Sequence, residues 1–171
     1  KAETAHLRSH YASIIEALEA DADNPVAYYN RGYAYFAKHQ YDKALADYDT
    51  AIKLEPGMGL AYNNRCLIRA ITGKDLAAGV RDCDTAQKLM PLNIDVRITR
   101  GFIYLKLDDP RLAMKEYNDA LDVDPNRPLA LYGRGIARLM IGETREGEGD
   151  KAAALALDPE VADQFAIYGL K

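Results

Sequence analysis

Asn30-Arg31-Gly32-Tyr33-Ala34-Tyr35, followed by Tyr41-Asp42-Lys43-Ala44 and then Asp47-Tyr48-Asp49-Thr50-Ala51-Ile52-Lys53-Leu54-Glu55-Pro56, is the stretch that decides the fold. Gly32 and Tyr35 are three residues apart and share one face of a first helix. Ala44, Tyr48 and Ala51, at i, i+4 and i+7, share one face of a second. A small residue at the crossing lets two helix axes approach, and the neighbouring aromatics fill the flanking gaps. Pro56 ends the second helix, because its ring pushes the preceding residue out of the α region. The stretch therefore reads as a helical hairpin.

The hairpin repeats along the chain. Pro56, Pro91, Pro125 and Pro159 are spaced 35, 34 and 34 residues apart, and Ala51, Ala86, Ala120 and Ala154 have the same spacings. So do Ala44, Gly79, Ala113 and Gly147, whereas Gly32, Cys66, Gly101 and Gly135 run 34, 35 and 34. The extra residue of the second unit thus falls between Cys66 and Gly79, where Thr72-Gly73-Lys74-Asp75 reads as a turn. Four columns in one register predict units over 25–58, 59–93, 94–127 and 128–161. Pro110 is well placed at the first position of a second helix.

The period, the small and aromatic positions and the terminal Pro together resemble the tetratricopeptide repeat, whose unit is about 34 residues. The resemblance covers residues 25 to 159. It implies an all-α, right-handed α-α superhelix, a single solenoid domain over 1–171. The ends suit that architecture. Residues 3–21 align with a second helix, its apolar stripe at Ile14, Ala17 and Leu18, and 160–169 read as a capping helix with Phe165 turned to the last unit and Asp163 and Gln164 to water. The fourth unit carries Gly142, Gly147 and Gly149, each weakening a helix by about 1 kcal/mol relative to Ala, and is expected to be the loosest.

Composition narrows the function. The 171 residues are 49% hydrophobic, enough for a core, and 26 acidic against 22 basic residues leave a net charge of −4. That balance lacks the clustered basic face of a nucleic-acid binder. No apolar run approaches the roughly 18 residues of a membrane span. Twelve Tyr against three Phe and no Trp suggest a long, partly wet packing surface. Searches for chemistry find no catalytic residue, cofactor motif or metal site. His6 and His10 are spaced i, i+4 without a third ligand, Ser occurs only at Ser9 and Ser13, and Gly133 and Gly135 lie inside a helix rather than in a phosphate loop.

Two constellations recur in register. Arg31, Arg65, Arg100 and Arg134 precede the small position, and Asp47, Asp82, Glu116 and Asp150 follow them by 16, 17, 16 and 16 residues. They read as ion pairs tying the two helices of each unit, in preference to a charged ladder for an acidic ligand. Cys66 stands where other units have Gly, and Cys83 where they have Tyr48, Tyr117 and Lys151. Small and aromatic positions should face each other within a unit. The thiols are therefore placed to form a disulfide, the alternative being two buried free thiols.

The family resemblance also implies where a partner binds. First helices line a concave groove, carried over here to Tyr29, Asn30, Tyr33, Asn63, Asn64, Leu67, Ile98, Thr99, Phe102, Lys106, Tyr132, Ile136 and Met140. Asn side chains can bond an extended peptide backbone, and Tyr, Phe and Met offer pockets. One branch of the family grips a C-terminal carboxylate with cations. Asn64 matches that clamp, but Tyr29, Asp95 and Thr99 occupy the cationic positions, so a neutral or apolar segment is the better expectation. The expected function is a non-catalytic scaffold for an extended peptide or protein. Self-assembly through the N-terminal helix, or a role as accessory subunit of a larger complex, is the alternative. Asn64-Arg65-Cys66, Asp82-Cys83-Asp84 and the ending Phe165-Ala166-Ile167-Tyr168-Gly169 are similar to a group of bacterial repeat proteins often made with an export signal. That similarity implies a periplasmic address, with the cytoplasm as alternative.

Overall fold

A computed structural model describes residues 16, 17 and 21–170. Among them are nine helices and no strand: α1 (Pro25–Ala37), α2 (Tyr41–Leu54), α3 (Gly59–Thr72), α4 (Leu76–Leu89), α5 (Ile94–Lys106), α6 (Pro110–Leu121), α7 (Pro128–Met140), α8 (Thr144–Leu157) and α9 (Val161–Ile167). The expected helix over 3–21 lies almost wholly outside the described residues, as do His6, His10, Ile14 and Leu18. Ala17 is helical, and its carbonyl accepts from the Asp21 amide at 3.0 Å.

Successive helices pair as antiparallel hairpins, α1 with α2 through α7 with α8, and each hairpin packs on the next. Local chemistry sets where the helices start. Asn24 and Asp109 accept from the amides of Ala27 and Leu112, and each is followed by Pro at the first helical position. Asn93 caps α5, and Asp75 caps α4 through the Ala78 amide. Each hairpin turn has three residues. The extra residue of the second unit is absorbed not in its turn but in α3, which has 14 residues where the other first helices have 13. Gly73, at φ 66°, then stops α3 in the left-handed region that its missing Cβ makes accessible.

The small–aromatic pattern is the packing mechanism. Ala44, Ala51, Ala86, Ala113, Ala120 and Ala154 are fully buried, as are Tyr48 and Tyr117. A Cβ added at Gly101 would stand 2.7 Å from the Tyr117 ring, and one at Gly32 would stand 2.9 Å from Tyr48. In the fourth unit Lys151 takes the aromatic position. Its stem packs at Gly135, while its ammonium lies 5.4 Å from the centre of the Tyr132 ring.

Of Gly142, Gly147 and Gly149, Gly147 is the one that makes a close contact. A Cβ at Gly147 would come within 2.9 Å of the Gly135 carbonyl and of Leu139, so α7 and α8 meet there, whereas Gly149 faces open space. Gly147 therefore closes this hairpin rather than loosening it.

α9 folds back over the inner side of the last units. Val161 and Phe165 are buried, and the Phe165 ring lies 5.0 Å from Tyr132 and 6.2 Å from Phe102. Asp163 is exposed and Gln164 half-buried.

Candidate functional site: the concave groove

The candidate groove residues come from the first helices α1, α3, α5 and α7. Asn63, Leu67, Ile98, Thr99 and Phe102 converge on one pocket of about 170 Å³, completed by Asp95, Leu129, Phe165 and Tyr168. Its walls are chiefly apolar. Ile98, Thr99 and Phe102 are buried, and the Thr99 hydroxyl donates to the Asp95 carbonyl at 3.0 Å. Asn63 is 8% exposed, and its Oδ1 is buried without a hydrogen-bond partner. An unpaired buried carbonyl costs about 1–3 kcal/mol, so this wall favours a ligand that brings a donor.

The remaining expected residues lie elsewhere. Tyr29, Asn30 and Asn64 are half-buried and Tyr33 is exposed at the N-terminal end of the groove. Asn64 Nδ2 donates to the hydroxyls of Tyr29 and Tyr48, both at 3.3 Å, which ties α1, α2 and α3 at a single amide. Lys106 is occupied by the groove's own cap, donating from Nζ to the Tyr168 carbonyl at 3.1 Å. Tyr132 and Ile136, expected on an open wall, are buried instead. α9 brings Phe165 onto Tyr132 and Phe102, where the apolar side of that helix is covered. Met140, at the end of α7, is exposed and away from the pocket.

Sequence reading assigned Phe165 and Tyr168 to a cap and not to the groove. Asp95, read at a clamp position of the groove, lines the pocket, and Leu129 was missed, although it stands one helical turn before Tyr132.

Behind the groove runs a chain of charges. Arg31 reaches Asp47 through two bonds of 2.7 and 2.8 Å, and Arg134 reaches Asp150 at 2.7 and 2.8 Å. Arg65 reaches Asp82 at 2.5 and 2.8 Å. Arg100 meets Glu116 more loosely, at 3.4 Å, with its Nε buried and unpartnered. Glu is one methylene longer than Asp and does not present its two oxygens to the guanidinium fork in the same way. Burial raises the Glu116 carboxyl above its ordinary value, and the neighbouring Arg100 opposes that rise.

The arginines also bond backwards along the solenoid. Arg65 reaches Asp49, Arg100 reaches Asp84 and Arg134 reaches Asn118, each in the preceding unit. Arg69 and Arg138, which replace aromatic residues, add further bonds to Asp82 and Asp150. The ladder thus joins units as well as the helices within them, and it is committed to architecture.

In unit 2, Cys66 of α3 and Cys83 of α4 are joined as a disulfide with Cα atoms 5.5 Å apart, both residues fully buried. The tyrosines at the equivalent position are buried elsewhere. Burial lifts the ionisation of Tyr48 and Tyr117 far above that of an exposed phenol, and the Tyr117 hydroxyl has no partner. Among the described residues no group of His, Cys, Asp and Glu is arranged to hold a metal ion, and no helix is long and apolar enough to cross a membrane.

Known proteins agree with this architecture. The Tetratricopeptide repeat family matches residues 25–58 and again 94–127, the first and third hairpins. Stress-induced-phosphoprotein 1 of Caenorhabditis elegans is 30% identical over 149 residues, which are 83% of this chain and 43% of that relative. The chain therefore spans less than half of that relative's length. Among solved structures, the type IV pilus biogenesis factor PilW superposes with a TM-score of 0.81 at 19% identity, covering 91% of this chain and 72% of its own. YrrB, described as a TPR protein with an unusual peptide-binding site, superposes with a TM-score of 0.69 at 23% identity, covering 91% of this chain and 80% of its own. Matched hairpins in one register, stacked without a break into a solenoid, make this chain a multi-repeat tetratricopeptide protein.

Proposed function

We propose that the chain is a non-catalytic scaffold that holds an extended segment of a partner protein in its concave groove, with the pocket between α3 and α5 as the anchor point. The observation that carries this reading is the pocket itself. It combines apolar walls with one unpartnered buried amide oxygen, the combination that fixes a peptide side chain and its polar atoms together. The tetratricopeptide fold supports a protein-interaction role in general, and YrrB is described as having a peptide-binding site. α9 closes the groove over unit 4, which leaves units 1 to 3 for a ligand. A cationic clamp for an acidic tail is disfavoured, because Lys106, beside the pocket's cap, already bonds the Tyr168 carbonyl, and Arg127, beside the pocket wall, is paired with Asp95.

The test is selection of peptides from a display library on the immobilised protein, followed by affinity measurement. Peptides that bind the parent should lose binding to Thr99→Arg, which fills the pocket, and keep it with Leu155→Arg, an exposed change on α8. Selected peptides that bind both variants equally would refute the groove as the site.

The buried Cys66–Cys83 bridge supports an oxidising compartment, such as the periplasm, as the place where the protein works.

A further inference from the structure

Unit 2 lacks a tyrosine that its neighbours possess. In unit 1, Tyr48 reaches from α2 towards the next first helix, its hydroxyl accepting from Asn64 and its ring 5.8 Å from that of Tyr29. In unit 3, Tyr117 occupies the same place so closely that a Cβ at Gly133 of the next unit would stand 2.3 Å from its ring. In unit 2 the position is Cys83, whose side chain ends in the bridge to Cys66.

The residues in register with Tyr29 and Asn64 one unit later are Asn63 and Thr99, 34 and 35 residues on. Both line the groove pocket. Thr99 has turned its hydroxyl to the Asp95 carbonyl, but Asn63, more than nine-tenths buried, keeps an Oδ1 that nothing satisfies. Two residues of the pocket thus stand at the positions that flank the phenol in unit 1, and unit 2 supplies no phenol between them.

We propose that this pocket takes a tyrosine side chain of the bound segment, so that the partner supplies in trans the phenol that unit 2 lacks in cis. The proposal rests on the groove reading above and specifies the ligand. Size agrees: a cavity of about 150 Å³ holds a benzene ring, and this one measures about 170 Å³. The walls agree as well. Phe102 meets Phe165 edge-on at 6.2 Å and Tyr168 at a tilt at 5.1 Å between centroids, and these rings offer faces and edges to a further aromatic. A phenol hydroxyl both donates and accepts, so it satisfies the Asn63 amide whichever way that group is turned. Phenylalanine fills the same space and leaves the amide unpaired.

N-acetyl-tyrosinamide and N-acetyl-phenylalaninamide, titrated into the oxidised, ¹⁵N-labelled protein, test this by NMR. Both should shift the amides of Asn63, Leu67, Thr99 and Phe102, with the tyrosine compound binding roughly five- to tenfold more tightly, the worth of one hydrogen bond. Asn63→Leu should make the two bind alike. The double variant Cys66→Gly/Cys83→Tyr, which restores the phenol in cis, should also lose the preference. Equal binding to the parent protein, or shifts confined to other surfaces, would overturn the assignment, and the parent ratio decides even where a variant folds poorly. Library peptides that occupy the groove without tyrosine and ignore Asn63→Leu would overturn this proposal alone. Failure of both peptides and amides would sink the groove reading with it.

Discussion

Reduction of the Cys66–Cys83 bridge should lower stability by about 3 kcal/mol. The two residues are 17 apart in sequence, and closing a loop of that length removes about 10 cal/mol/K of entropy from the unfolded chain, or about 3 kcal/mol at 25 °C. The native state offers little to offset this. Both sulfurs are fully buried in the core cluster that also contains Phe102 and Ile103, and two thiols occupy nearly the volume of the bridge. For a chain of this size the loss corresponds to a fall in melting temperature of roughly 6–12 °C. The assay is far-UV circular dichroism melting with and without a non-thiol reductant, with free thiols counted by alkylation and mass spectrometry on the same samples. Two thiols released with an unchanged midpoint would refute the entropic argument. Two thiols present before any reductant would refute the bridge and remove the support for an oxidising compartment.

Glycines at helix crossings and at open positions should respond in opposite directions. Gly101→Ala drives a Cβ into the buried Tyr117 ring and should cost about 1–3 kcal/mol, whereas Gly149→Ala, with nothing within 4 Å, should gain about 0.5–1 kcal/mol, both read from urea midpoints. Asp82→Ala leaves the guanidinium groups of Arg65 and Arg69 facing each other without their shared carboxylate, and should destabilise by about 3 kcal/mol in the same assay. Glu116 has its folded pKa raised by burial, so its contribution is fully present below the ordinary carboxylate value and is lost as pH rises through the raised one. Urea midpoints measured from pH 4 to pH 7 should therefore move in favour of Glu116→Gln as pH increases, and a constant difference would contradict the assigned direction.

Much of the architecture was legible because it is written in local, periodic chemistry. The prolines, the buried alanines and the small positions of the first helices recur every 34 or 35 residues, and a helix that must bury one small-residue stripe leaves few arrangements but a stacked hairpin. The Arg–acid spacing was readable for the same reason, since both residues occupy fixed positions on paired helices. Their second bonds, from Arg65 to Asp49 and from Arg100 to Asp84, were not, because they depend on how one hairpin sits against the next.

The groove was only half legible. Which residues face inward follows from helix periodicity, and Asn63, Leu67, Ile98, Thr99 and Phe102 do meet in one pocket. That Tyr132 is closed off follows from the path of α9, whose Phe165 packs on it and on Phe102.

By itself, then, the sequence determined the helices, their pairing, the solenoid and the place of the two cysteines. These follow from interactions between residues within one unit or at one repeat spacing. Tertiary structure alone decided that a pocket opens between α3 and α5, that its Asn63 amide oxygen is unpartnered and that α9 closes one end of the groove. Those features arise where three or four elements meet, and a cavity or an unpaired atom is a property of the space left between them.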